Sequence, residues 1–126
     1  MPWEINMSDI TTTEDITKFM ELFYDRLLRN PIAAPLFADI DMEAHMPRVV
    51  AFWEGIAFGA SQYQGSPFQP HVPLALTSEH FTIWYETFTS CLDELFEGST
   101  ATMMKERAHS IAFIFSAKLG ISPPEI

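Results

Sequence analysis

Cysteine and positive charge are both scarce in this sequence. Cys91 is the one cysteine, so no intramolecular disulfide can form, and no zinc cluster of the two- or four-cysteine kind can be built. A reducing compartment is the expected setting. Lysine and arginine number 7 against 17 aspartates and glutamates, for a formal net charge of −10. So acidic a domain repels a phosphate backbone, which argues against a nucleic-acid partner. No run of residues approaches the ~20 apolar positions of a membrane span. The stretch from Met1 to Asp9 mixes Trp, Glu, Asn and Asp where a cleavable leader would be basic and then apolar. The expectation is a cytoplasmic protein with no membrane partner. The common catalytic signatures are missing as well. There is no pair of histidines at i, i+4 around a glutamate, no serine in a G-x-S-x-G elbow and no Gly-rich phosphate loop.

What the sequence does have is apolar and aromatic bulk. Of its 126 residues 48 % are hydrophobic, with 11 Phe, 3 Trp and 3 Tyr. The length suits one domain spanning residues 1–126. So many rings fit either a Phe-rich core or the walls of a cofactor cavity. Period-2 alternation is nearly absent and the 3.6 period recurs, so the class is all-α. A first helix is expected over residues 14–29, with Thr11 or Thr12 as cap, and a stripe of Ile16, Phe19, Met20, Phe23, Tyr24, Leu27 and Leu28. Asn30-Pro31 ends it. A second is expected over 44–60, its start fixed by placing Pro47 in the first turn, where a missing N–H costs nothing. Residues 61–70 read as a loop, and 71–76 as a short apolar turn broken by Pro73. The third and fourth helices are expected over 79–96 and 100–119, stopped by Gly98 and Gly120.

Four histidines are available for chemistry: His45, His71, His80 and His109. His71 stands in Phe68-Gln-Pro-His-Val-Pro-Leu-Ala-Leu76, with no carboxylate within five residues on either side. A buried neutral imidazole there needs a partner for its lone pair. A metal is one such partner, and a single histidine commonly holds haem iron. A loop histidine bonded to a backbone carbonyl is the other reading, and the local sequence does not choose. His45 opens a helix face that continues with Val49, Phe52 and Trp53. That face would line a flat aromatic ligand, or it is an ordinary amphipathic helix with a histidine near its start. Arg48 would share the same rim, as a clamp for a carboxylated ligand or as a solvated side chain. Tyr24 and Trp84 sit in apolar stripes, and each needs an acceptor if buried. In a plain core they would bond backbone carbonyls; in a cavity they would donate to a bound small molecule.

Taken together, these pieces resemble the group III truncated haemoglobins. The resemblance covers about residues 16–115. It is carried by Phe23-Tyr24, Pro35-Leu-Phe37, His45-Met-Pro-Arg48 with Phe52-Trp53, Tyr63-Gln-Gly65 with Pro67, then His71, and His80-Phe81 with Trp84 and Phe88. No single piece is specific; their order and spacing are. The resemblance implies a truncated globin, a two-over-two helical sandwich around haem b. It makes His71 the proximal iron ligand, and it places Tyr24, Trp84 and His45 on the distal, ligand-stabilising side, with His45 at the entrance. It makes Phe23, Phe37, Val49, Phe52, Trp53 and Leu76 walls of the pocket and puts Arg48 near a propionate, while His80 and His109 are left to solvent.

The implied partners are O2, NO or another small diatomic ligand. Two uses of such a site stay open. One is a binding protein (carrier, scavenger or sensor). The other is an oxidoreductase of the NO-dioxygenase or peroxidase type, whose reductase would have to be a separate protein because 126 residues hold no reductase domain. A helical interaction domain with no cofactor, its rings merely core, is the third reading.

Overall fold

A computed structural model describes residues 7–59 and 75–126. The elements run α1 (Thr13–Arg29), a 3₁₀ turn (Ala34–Phe37), α2 (Met42–Phe58), α3 (Ser78–Leu95) and α4 (Ser99–Lys118), with no strand among the described residues. The expected loop over residues 61–70 lies outside the described residues. So does the expected broken turn that carries His71, apart from Ala75 and Leu76. Among the described residues no helix is long and apolar enough to cross a membrane.

Each helix starts where a side chain can take up orphan amides. Thr12 caps α1 in a reciprocal box: its Oγ1 accepts from the Asp15 amide at 3.1 Å, and Asp15 Oδ2 accepts from the Thr12 amide at 3.1 Å. The helix ends at Asn30, whose Oδ1 accepts from the Ile32 and Ala33 amides and turns the chain into the corner. Thr77 caps α3, but the residue closing that box is His80. Its Nδ1 accepts from the Thr77 amide at 3.0 Å, so the expectation of a histidine left to solvent needs this correction. An amide can only donate, which puts any ring proton of neutral His80 on Nε2.

The start of α2 departs from expectation. Asp41, whose Oδ1 accepts from the Glu43 amide at 3.1 Å, begins the helix at Met42. Pro47 is therefore the sixth residue and lies inside the helix. The Glu43 carbonyl is left without the amide that any other residue would supply at position 47. A strong Asp cap outweighs the preference for placing proline in the first turn.

For α4 the cap comes from far away in sequence. Asp9 accepts from the amides of Thr100 (2.9 Å) and Ala101 (3.0 Å). The residue that precedes α4, Gly98, has φ 149°, and an added Cβ there would collide with the Asp9 side chain. Burial pushes the Asp9 carboxyl upward, but the amides of Thr100, Ala101 and Ile10 outweigh this and hold it below its ordinary value.

Helix α1 packs on α2 and α3 on α4, and the pairs meet through α1 with α3 and α2 with α4, a two-over-two sandwich. Its core takes Ile16, Phe19, Met20, Phe23 and Leu27 from α1, Phe88 and Leu92 from α3, and Met104 and Ala108 from α4. Burying each large apolar side chain contributes about 1.5–3 kcal/mol. Leu28, at the edge of the expected α1 stripe, is 41 % exposed.

Candidate functional site

Within and around the core, α1, α2 and α3 bring together rings that are scattered along the sequence. Phe23 and Tyr24 are consecutive on α1, and both are buried. The Phe37 ring from the 3₁₀ turn meets Tyr24 edge-on at 5.7 Å and 87°. The Trp84 ring from α3 meets Phe23 edge-on at 6.2 Å. Trp53 from α2 lies 4.7 Å from Phe88, and Phe52 stands edge-on to Trp53 at 5.3 Å. Val49, Phe52, Ile56 and Trp84 pack against this cluster yet remain half-buried.

One polar pair is set into this aromatic wall. Tyr24 Oη lies 3.0 Å from His45 Nε2. Burial pushes the Tyr24 phenol well above its ordinary pKa, so it keeps its proton. Either the phenol donates to His45 or His45 Nε2–H donates to the phenol oxygen; in the second case the Tyr24 proton is available to a third group.

Of the residues expected at the site, Phe23, Tyr24, Phe37, His45, Phe52, Trp53 and Trp84 are linked by ring contacts, and Val49 packs on the same cluster. Leu76 packs with Trp84 on a second cluster built from Phe81, Ala112 and Phe115. Arg48 is exposed on α2. His71 lies outside the described residues, as do Tyr63, Gln64, Gly65 and Pro67. The hub is Phe88, which the sequence reading placed among the residues carrying the resemblance but gave no role at the site. Phe88 touches Phe19, Phe23, Trp53 and Trp84, and its position one turn after Trp84 was the available signal. His109 is not left to solvent either: it is half-buried between Tyr85 and Phe113.

Two surface grooves among the described residues lie away from these rings. One between α1 and α3, of about 790 Å³, carries Arg26, Glu86 and Glu94, and one of about 620 Å³ between α3 and α4 carries Tyr85, Lys105 and His109. Ion pairs stand in both: Arg26 with Glu94 in the first, Lys105 with Asp93 in the second. The aromatic wall suits a flat conjugated group far better. It offers half-buried apolar side chains and one hydrogen-bonding pair, a lining whose chemistry fits such a group.

Comparison with known proteins identifies the family. The family model described as bacterial-like globin matches residues 8–117. A group 3 truncated hemoglobin of Campylobacter jejuni is 28 % identical over 113 residues, covering 84 % of this chain and 89 % of that protein. The crystal structure of a group III truncated hemoglobin from Campylobacter jejuni superposes with a TM-score of 0.81 at 26 % identity, covering 90 % of this chain and 95 % of that one. The chain therefore belongs to the bacterial-like globins, a family of haem-binding proteins, and its relatives within that family are group III truncated haemoglobins.

Proposed function

We propose that the chain holds haem b through His71 and binds O2, NO or another small diatomic ligand at a pentacoordinate iron, on the side that carries Tyr24. The observation that carries this reading is the Tyr24–His45 pair at 3.0 Å, set in a wall otherwise made of rings. When bound, the haem supplies an iron with one open position for the ligand. Phe23, Phe37, Val49, Phe52, Trp53 and Leu76 would cover its faces and exclude water, and Arg48 would reach toward a propionate.

The chain's own donors do the discriminating. Tyr24 retains its phenol proton because burial raises its pKa, and Trp84 brings an indole N–H that can only donate. A ligand that draws negative charge is stabilised by ~1–3 kcal/mol for each donor. Two donors slow its release by roughly one and a half to four orders of magnitude, at ~1.4 kcal/mol per tenfold. Slow release suits conversion of the bound ligand better than transport. An oxidoreductase role of the NO-dioxygenase or peroxidase kind, supplied with electrons by a separate reductase, is therefore the second reading.

Stopped-flow measurement of O2 release tests the assignment. Tyr24→Phe and Trp84→Phe should each speed release by about tenfold. Unchanged rates in both variants would remove the donors from the site.

A further inference from the structure

The chain continues past residue 117, where the family match ends, and its contacts there are specific. Gly120 adopts a left-handed φ of 71°. The Gly120 and Ile121 amides close on the carbonyls of Ala117 and Ser116, both at 3.1 Å, so α4 stops with a left-handed residue. The following residues return along the α3–α4 pair. Ser78 Oγ, at the start of α3, donates to the main-chain oxygen of Pro123 at 3.3 Å. His109 Nε2, within α4, lies 3.4 Å from the main-chain oxygen of Ile126. The main-chain oxygen is the acceptor, so the proton of this contact is on His109 Nε2. Between the two anchors Pro124 is buried, and Ile121 and Ile126 pack on the cluster of Phe81, Ala112 and Phe115.

Trp84 packs against that same cluster and also against Phe23 and Phe88. Its indole is thus held between two apolar groups, and the 119–126 segment backs one of them. We infer that residues 119–126 form a strap that positions Trp84: Ile121 and Ile126 hold Phe81 and Phe115, and these fix the tilt of the indole, which lies 31° from the plane of Phe88. A donor must be held within about 0.5 Å and 10–20° of its productive geometry to act on a small ligand. The strap is then a positioning element for the ligand site, contributed by residues that lie outside the family match. Its consequence for ligand binding rests on the reading of Trp84 as a donor; its structural content does not.

The test uses the full chain labelled with 5-fluorotryptophan and read by ¹⁹F NMR, before and after haem is added. Trp84→Phe and Trp53→Phe assign those two of the three resonances, and Trp3 accounts for the third. Ile121→Asp with Ile126→Asp releases the strap without altering any ring. Ser78→Ala with His109→Phe removes only the anchors and serves if the first pair does not fold. The strap predicts that the Trp84 resonance shifts or broadens while that of Trp53 stays, and that O2 release quickens about three- to tenfold. If neither resonance moves, or both move together, the strap is ordinary packing and the inference is overturned. If Trp84 alone moves and release is unchanged, the strap stands and the donor role assigned to Trp84 falls.

Discussion

The hydroxyl oxygen of Tyr24 lies 3.0 Å from Nε2 of His45, with the two rings nearly perpendicular at 89° and their centroids 5.3 Å apart. Twenty-one residues separate them in sequence, and the pair joins α1 to α2 at the edge of the aromatic cluster. Removing either partner leaves the other's polar atom in a half-apolar setting.

That relationship is measurable without any haem. Tyr24→Phe and His45→Leu should each lower stability by about 1–2 kcal/mol, and the double variant should lose about 1 kcal/mol less than their sum. Urea unfolding of the four proteins gives the cycle. Strict additivity would mean that the 3.0 Å approach carries no coupling.

The Asp9 cap on α4 predicts a pH dependence with a definite sign. The folded carboxyl titrates below its ordinary value. Its contribution is therefore complete above the unfolded value of about 3.9 and is lost as pH falls through the lower, folded value. Asp9→Asn leaves one carbonyl oxygen where both carboxylate oxygens accept amides, so it should reduce stability at pH 7 by about 1 kcal/mol, and its gap from the parent should shrink as pH is lowered below 4. A gap that grows on acidification would contradict the cap. Gly98→Ala should cost at least as much, because its Cβ displaces the same carboxylate and the residue must keep a φ of 149°.

Pro47 lies inside α2 and withholds an amide from the Glu43 carbonyl. Pro47→Ala should stabilise the chain by about 1 kcal/mol, the helix gain being partly offset by a freer unfolded state. A rise in thermal midpoint with no change in the spectrum of added haem is the expected result. A fall would show that proline sets a bend the site needs.

How far the sequence could be read follows from where the controlling interactions sit. The α1 start was legible because Thr12 and Asp15 are three residues apart and cap each other locally. That Phe23, Tyr24, His45, Trp53 and Trp84 come together was legible from helix faces of regular period and from the resemblance, which set them in one order. The α2 start was misplaced by rejecting an internal proline, since nothing local ranks an Asp41 cap above the cost of Pro47. The α4 cap was illegible: Asp9 reaches Thr100 across 91 positions, and no sequence window connects them. His80 and His109 were assigned to solvent because they match no haem contact in the resemblance, and their polar partners, the Thr77 amide and the Ile126 main-chain oxygen, are backbone atoms. Residue identity does not advertise such partners.

The central claim is that His71 holds the haem iron. The direct measurement is a haem titration of the purified chain and of His71→Gly, followed by absorption spectroscopy with and without added imidazole. The account predicts an intense Soret band for the parent, a weakened or displaced band for His71→Gly, and recovery of the parent spectrum when imidazole fills the space left by the side chain. A His71→Gly spectrum identical to the parent, before any imidazole is added, would contradict it.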